Sequence, residues 1–392
     1  MKRFWMNRRG FAIAAATVFL AGCKVIPTAP DTSTSTPDVP DTSTSVPSDT
    51  ALPSGDNTRH RIALLVPMTG ENGPVGNAIA NAATMALLDT NASNLRITTY
   101  DTSTGARAAA RKAVADGNKL ILGPLVADNV PQVLAEARPA DVPVITYSND
   151  ASIAGPDVFV MGQIPAQSVE RTVGYARQNG ATDFAAIIPD GEYGKQIEAA
   201  FQTAVVGAGG RMVATERYDR GNTSIVSAAQ RLQQRGGFNT VLIADGSRLT
   251  AMAANELKPG GRGAALLLGT ELLSGESGVT RTPSLRGMYF SAISDSRFKR
   301  FSDSYKDRFG AQPYRIATLG YDSVLLTLRV ARDWKVGNNF PVRQLREDGG
   351  FLGLDGPFRF QQNGVIERAM EVREIRNGQV VIVSAAPTTF ED

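Results

Sequence analysis

Cysteine and histidine are almost absent from this chain, since Cys23 and His60 are the only ones in 392 residues. A single cysteine cannot form an internal disulfide. His60 lies where a Pro/Thr/Ser-rich stretch meets the first apolar run, and we expect it to be solvated, which argues against a Ser/His/Asp hydrolase. No His/Cys cluster exists that would hold zinc. Composition does not exclude a glycosidase, which needs only a pair of carboxylates in a cleft, but we expect that the protein is not an enzyme.

Long apolar runs and dinucleotide-binding glycines are also missing. After Leu20, no apolar run is long enough to cross a bilayer core of about 30 Å. The glycines that follow the first apolar run, Gly70, Gly73 and Gly76, do not have the G-x-G-x-x-G spacing, and Pro74 interrupts them. We therefore expect neither a membrane-spanning domain nor a cofactor.

The charge balance argues against nucleic acid as a partner. The chain has 41 basic and 38 acidic residues. Four of the basic residues, Lys2, Arg3, Arg8 and Arg9, lie in an amino-terminal segment without acids, and the rest of the chain has 37 basic residues against 38 acidic ones. This nearly neutral remainder lacks the basic surface on which nucleic-acid binding depends.

The first two dozen residues have the pattern of a secretory signal. The four basic residues precede an apolar run of about ten residues, Phe11 to Leu20, which is typical of a signal h-region and too short to span a membrane. The tetrad that follows, Leu20-Ala21-Gly22-Cys23, resembles a bacterial lipobox. The resemblance implies a signal peptide over residues 1–22, and diacylglycerol attachment and amine acylation at Cys23. Two or three acyl chains would make a stable membrane anchor.

Residues 23–58 are rich in Pro, Thr, Ser and Asp, and they contain the repeat Pro30-Asp31-Thr32-Ser33-Thr34-Ser35, which recurs ten residues later. Such a segment has too little apolar surface to offset the entropy of ordering it. We expect a flexible linker with a span of roughly 30 to 35 Å. The folded part of the chain would then reach well away from the membrane.

Residues 59–385 alternate short apolar runs with amphipathic, helix-like stretches. Ile62 to Val66 begins one such series, and a second series follows from Ala166. This alternation predicts an α/β protein with two doubly wound parallel sheets around a cleft. We expect the first lobe to comprise residues 59–162 and 293–336, and the second to comprise 163–292 and 337–385, with a first hinge at 161–165.

Five short motifs occur in this region. They are Met68-Thr69-Gly70, Leu122-Gly123-Pro124, Asp190-Gly191-Glu192-Tyr193-Gly194, Gly320-Tyr321-Asp322-Ser323-Val324 and Phe351-Leu352-Gly353-Leu354-Asp355-Gly356. Their order is that found in the type I periplasmic binding proteins, and the chain resembles the leucine/isoleucine/valine-binding family of these proteins. The resemblance implies the two-lobed fold of that family, with a cleft that could hold a small-molecule ligand.

A narrower resemblance concerns the segments Leu122 to Val130 and Val142 to Asn149, which are similar to the penicillin-binding-protein activators. These activators are outer-membrane lipoproteins that stimulate a bifunctional penicillin-binding protein, a peptidoglycan synthase. Lys24 replaces the aspartate linked to inner-membrane retention of lipoproteins, which favours the periplasmic face of the outer membrane. The alternative is a substrate-binding lipoprotein that delivers amino acids or amides to an ABC permease.

The receptor alternative requires a polar cleft. A zwitterionic amino acid needs hydroxyl and N–H donors for its carboxylate and a protein carboxylate for its ammonium. Pro124-Leu125 occupies the loop where amino-acid receptors usually present a serine or threonine, so such a pocket is disfavoured. The cleft candidates follow the predicted strands, and they are Thr69, Gly123, Thr146, Tyr147, Ser148, Tyr193, Asp245 and Glu271.

Overall fold

The structure is a computed structural model that describes residues 58–258 and 265–390. The predicted signal peptide, Cys23 and all of the predicted linker except Thr58 lie outside the described residues. None of the helices in the described part of the chain is long and apolar enough to cross a membrane.

Five parallel strands form the sheet of the first lobe, in the order β2-β1-β3-β4-β5. The last three of these strands are buried at every residue, as expected of a parallel sheet covered on both faces. The fifth strand was not predicted from the sequence. The strands are β1 His60–Val66, β2 Leu95–Asp101, β3 Leu120–Leu122, β4 Val144–Thr146 and β5 Val158–Val160.

Three helices cover this sheet: α1 Gly73–Asp89 on one face, and α2 Ala106–Ala115 with α3 Val130–Ala137 on the other. Strand β1 serves both faces because successive side chains point to opposite sides. Ile62 and Leu64 pack with α1, whereas Ala63 and Leu65 pack with α2 and α3.

The second lobe repeats the pattern with five more parallel strands and the helices between them. Its two faces also form separate apolar clusters. The strands are β6 Asp183–Pro189, β7 Arg211–Tyr218, β8 Thr240–Ile243, β9 Leu266–Leu268 and β10 Tyr289–Ala292. The helices are α4 Pro165–Gln178, α5 Glu192–Gly207, α6 Ser224–Arg235, α7 Ser247–Leu257 and α8 Gly278–Arg281.

The chain then returns to the first lobe through helices α9 Phe298–Phe309 and α10 Thr318–Val330, which pack against α1. Residues 337–369 follow them there. Strands β11 Phe351–Gly353, β12 Gly356–Phe360 and β13 Ile366–Arg368 form a small antiparallel sheet whose apolar side chains join the core of the first lobe. The assignment of all of 337–385 to the second lobe was therefore wrong for this part.

The last two strands, β14 Glu371–Arg376 and β15 Gln379–Ser384, complete the sheet of the second lobe. They pair antiparallel to their neighbours, and the sheet order is β15-β14-β10-β9-β8-β6-β7. The predicted fold class, with two doubly wound α/β lobes, is confirmed.

Three segments join the lobes: 161–164 between β5 and α4, 293–297 between β10 and α9, and 369–370 between β13 and β14. The first segment leaves the carboxyl end of β5 and enters α4, which runs back to the amino end of β6. The carboxyl edges of both sheets therefore face the joining segments, and the cleft opens between these edges.

His60 is buried rather than solvated, which corrects the sequence-based expectation. Its side chain is stacked on Trp334 with ring centroids 4.0 Å apart, and the residue is 4% exposed. Burial lowers the pKa of His60 below its usual value. His60 is thus part of the base of the first lobe, at the amino end of β1.

Candidate ligand cleft

The first wall of the cleft is formed by the loops that follow β1, β3 and β4. Thr146 is fully buried; its hydroxyl donates to the carbonyl oxygen of Pro124 over 2.7 Å and accepts from the Ser148 N–H over 3.2 Å. The phenol oxygen of Tyr147 lies 2.8 Å from the Ser323 hydroxyl of α10, in the interior of the first lobe. Burial raises the pKa of Tyr147 well above its usual value. The hydroxyls of Thr146 and Tyr147 are therefore engaged inside the lobe.

Gly123, Ser148 and Thr69 complete this wall. Gly123 has φ +98°, and a Cβ there would overlap the carbonyl oxygen of Leu65, so only glycine fits. Ser148 is buried, and its hydroxyl accepts from the Asp150 N–H over 3.1 Å. Thr69 is exposed, and its backbone N–H donates to the Ser103 hydroxyl over 3.1 Å. Of these residues, Thr69 offers its side chain to the solvent.

The second wall contains a cluster of three side chains at the carboxyl ends of β6 and β9. Tyr193 lies in the first turn of α5, and its phenol oxygen is 3.0 Å from the Thr270 hydroxyl. The same phenol donates to Glu271 Oε1 over 3.3 Å. The other carboxylate oxygen, Glu271 Oε2, is buried and has no hydrogen-bond partner within the described residues. Burial raises the pKa of Glu271 to about 7.

Asp245 forms a second cluster beside the first. Its Oδ2 accepts from the Tyr218 phenol and from Arg220 Nε, the latter over 2.7 Å, and its Oδ1 accepts from the Gly246 N–H over 2.8 Å. The guanidinium of Arg220 also lies 5.0 Å from the centre of the Tyr193 ring, which is cation–π geometry. Arg220 thus connects the two clusters, and it neutralises the carboxylate that could have received an ammonium.

The structure brings some of the predicted residues together and separates others. Tyr193 and Glu271 touch, and Asp245 is joined to them through Arg220. The candidates of the first wall, apart from Thr69, are packed within their own lobe. Sequence reasoning missed Tyr218, Arg220 and Thr270, although each lies within two residues of the end of a strand.

The arrangement can accept a cation more readily than an anion. Glu271 Oε2 is an acceptor that receives no hydrogen bond from any residue the structure describes, and the carboxylate of Asp245 is already paired with Arg220. No group of three or more His, Cys, Asp or Glu side chains within 58–258 and 265–390 is placed to hold a metal ion.

Comparison with known proteins gives the family. The model of the family described as "Periplasmic binding protein" matches residues 60–379, and the chain belongs to this family. An uncharacterised protein of Rickettsia prowazekii is 30% identical over 173 residues, which are 44% of this chain and 46% of that protein. The chain thus aligns with about half the length of this curated relative.

Solved structures with the same fold belong to two functional groups. One is a candidate branched-chain amino acid ABC transporter from Rhodospirillum rubrum, with 19% identity, a TM-score of 0.74, and coverage of 83% of this chain and 100% of that one. Another is the C-domain of LpoA from Haemophilus influenzae, a regulator of PBP1A, with 17% identity, a TM-score of 0.64, and coverage of 82% and 99%. At this identity the likeness shows the fold alone, and the same fold serves both groups.

Full-length LpoA from the same organism also matches, at 19% identity and a TM-score of 0.66. The match covers 83% of this chain but 59% of that one.

Proposed function

We propose that this chain is a non-catalytic lipoprotein of the periplasm that regulates peptidoglycan synthesis by binding a bifunctional penicillin-binding protein. The observation that carries the proposal is the state of the first cleft wall. The hydroxyls of Thr146 and Tyr147 are satisfied inside the lobe by Pro124 and Ser323. Two of the predicted hydroxyls of this wall are thus already engaged and would have to be released to hold an amino-acid carboxylate.

To bind a carboxylate, Thr146 would have to break its hydrogen bond to the buried Pro124 carbonyl, which would then keep only the Tyr147 N–H at 3.0 Å. The loss of one such hydrogen bond costs about 0.5–1.5 kcal/mol. Pro124 itself has no N–H to offer in the loop after β3. These two features work against a tight amino-acid receptor and leave the two-lobed frame free to serve as a binding platform.

The amino-terminal region supports the same function. Cys23 would carry the acyl chains, and residues 24–58 would extend the domain from the outer membrane toward the cell wall. Lys24 after the lipidated cysteine favours outer-membrane sorting. The similarity of the segments 122–130 and 142–149 to the activators and the shared fold with LpoA are consistent with this role.

A synthase assay tests the proposal. The mature lipoprotein, added to the purified bifunctional synthase of the same organism, should increase the rate of glycan polymerisation or peptide cross-linking at least about threefold. Heat-denatured lipoprotein serves as the control. Unchanged rates at a lipoprotein concentration of about ten times that of the synthase would count against the proposal.

One observation favours a second candidate, a solute receptor that feeds an ABC permease. Glu271 Oε2 is buried and has no partner among the described residues, and it could accept a hydrogen bond from the ammonium of an amino acid or amine. A ligand at one hundred times its Kd stabilises the fold by about 2.7 kcal/mol, which a thermal-shift screen detects. A shift that disappears in Glu271→Gln and persists in Glu192→Gln would support the receptor.

A further inference from the structure

Among the described residues, the two large sheets have four edge strands, β2, β5, β7 and β15. An exposed edge presents unpaired N–H and C=O groups, so natural proteins protect it with charges, prolines or covering segments. Strand β7 carries Arg211, Glu216 and Arg217, each in an ion pair. Strand β5 is buried, and the Val160 N–H donates to the Gly364 carbonyl. Strand β2 carries Arg96 and Asp101.

Strand β15 is less protected: Arg171 of α4 donates to the Ser384 hydroxyl at its end, and its other residues carry no such contact within the described residues. Its sequence, Gln-Val-Val-Ile-Val-Ser, contains no charge and no proline, and within the described residues it pairs with β14 alone. Val380 is 37% exposed and Ile382 is 58% exposed, and both point to the same face. Residues 379–383 of the strand are therefore an exposed edge with aliphatic side chains.

A groove of about 510 Å³ lies along that exposed face, and both Val380 and Ile382 line it. Its apolar lining includes Leu273, Val279 and Phe290, all of which belong to the core of the second lobe. Alternate side chains of a strand added beside β15 would point toward this groove.

The polar lining of the groove is predominantly acidic. Three carboxylates, those of Glu276, Asp295 and Glu371, lie in it with one guanidinium, that of Arg373. Arg373 pairs with Glu371 and Asp295, whereas Glu276 accepts a hydrogen bond from the Ser247 N–H and forms no ion pair within the described residues. Glu276 is thus a negative charge with room for a cation.

We propose that β15 receives an extended segment of the synthase as an added strand, with aliphatic side chains at alternate positions and a lysine or arginine beside Glu276. That the segment belongs to the synthase rests on the proposed function, whereas the sequence and charge that β15 and its groove would bind do not depend on it. Backbone hydrogen bonds would supply affinity, and the groove and Glu276 would supply specificity. A second copy of this chain fits less well, because two copies paired through β15 would bring two acidic grooves together.

The test uses two matched variants of the mature lipoprotein. Ile382→Lys places a charge on the edge without disturbing the core, and Val206→Lys makes the same change at a valine of α5 that is 69% exposed. Synthase binding should weaken at least about tenfold in Ile382→Lys and stay within about twofold of wild type in Val206→Lys. Equal binding by wild type and Ile382→Lys would overturn the docking site and leave the proposed function standing.

A second measurement tests the edge without the synthase. The probe is the peptide acetyl-Lys-Val-Thr-Val-Thr-Val-amide, with a counterpart in which glutamate replaces lysine. The lysine peptide should slow hydrogen exchange in 379–384 of the wild-type lipoprotein, and the glutamate peptide should slow it less. An absence of protection by the lysine peptide would overturn the proposal whether or not the synthase binds. Dimers in sedimentation that Ile382→Lys dissociates would also overturn it, in favour of a second copy.

Discussion

Arg368, at the end of β13, donates a hydrogen bond from Nη2 to the carbonyl oxygen of Met161 over 2.7 Å. This bond ties the third joining segment between the lobes to the first. Arg315 reaches the second joining segment by donating to the Ser294 carbonyl over 3.4 Å. Both arginines also approach Asp355, a fully buried carboxylate. The segments that join the lobes are therefore linked through a charge cluster around the buried Asp355 and Arg368.

Two carboxylates of this cluster, Asp355 and Asp322, should affect stability differently when each is replaced by asparagine. Asp355→Asn removes the ionic partner of Arg315 and of the buried Arg368, and we expect a loss of about 3–5 kcal/mol in the free energy of unfolding at pH 7. Asp322 accepts from the Leu354 N–H through Oδ1, and its Oδ2 is buried without a hydrogen-bond partner in the described part of the chain. Burial and the neighbouring Asp355 raise the pKa of Asp322.

Asp322→Asn keeps the acceptor for Leu354 and removes a carboxylate that is unfavourable when ionised, so its stability should match or exceed that of wild type at pH 8. Urea denaturation of both variants at pH 8 checks this order. A larger loss for Asp322→Asn than for Asp355→Asn would contradict the description of the cluster.

Glu271 should make the stability of the domain depend on pH. Its pKa in the fold is about 7, above the ordinary value of 4.5, so its contribution is fully present below pH 4.5 and is lost as the pH rises to about 7. The difference between these two pKa values corresponds to a loss of roughly 3 kcal/mol in the free energy of unfolding. In Glu271→Gln this part of the pH dependence should disappear, and the variant should be more stable than wild type at pH 8.

Denaturation at pH 5 and pH 8 measures the effect. The control is Glu192→Gln, in the same helix as Tyr193, whose side chain is 72% exposed. If both variants keep the wild-type pH dependence, Glu271 is not protonated in the native state near neutrality.

Two glycines in neighbouring helices should respond oppositely to alanine. At Gly194, in the first turn of α5, a Cβ would overlap the carbonyl oxygen of Pro189 at the end of β6, and backbone cannot move aside easily. Gly194→Ala should destabilise the fold by about 1–3 kcal/mol or more. At Gly174, inside α4, a Cβ meets no atom within 4 Å, and Gly174→Ala should stabilise the fold by roughly 0.5–1 kcal/mol. Thermal melts of the two variants against wild type provide the comparison.

The order of strands and helices could be predicted because buried parallel strands are short apolar runs. Leu120 to Leu122 is recognisable on that basis alone. The lobe to which the residues 351–368 belong could not be predicted, because strand periodicity does not encode which core a strand joins. Phe358 and Ile366 would be equally apolar in either lobe.

The site was predictable to the extent that it lies at strand ends. Tyr193 and Glu271 were found in this way, and the same rule applied to β7 would have found Arg220. The direction of the Tyr147 side chain could not be read, because its partner Ser323 is 176 residues away and on another element.

In the proposed function, this chain acts on a synthase through a surface other than its cleft. The most direct measurement is a calorimetric titration of the synthase into the wild-type protein and into Glu271→Gln, with leucine titrated separately into each. We expect both proteins to bind the synthase with the same Kd within about twofold, and neither to bind leucine. Leucine binding that Glu271→Gln abolishes, together with no heat from the synthase, would contradict the account.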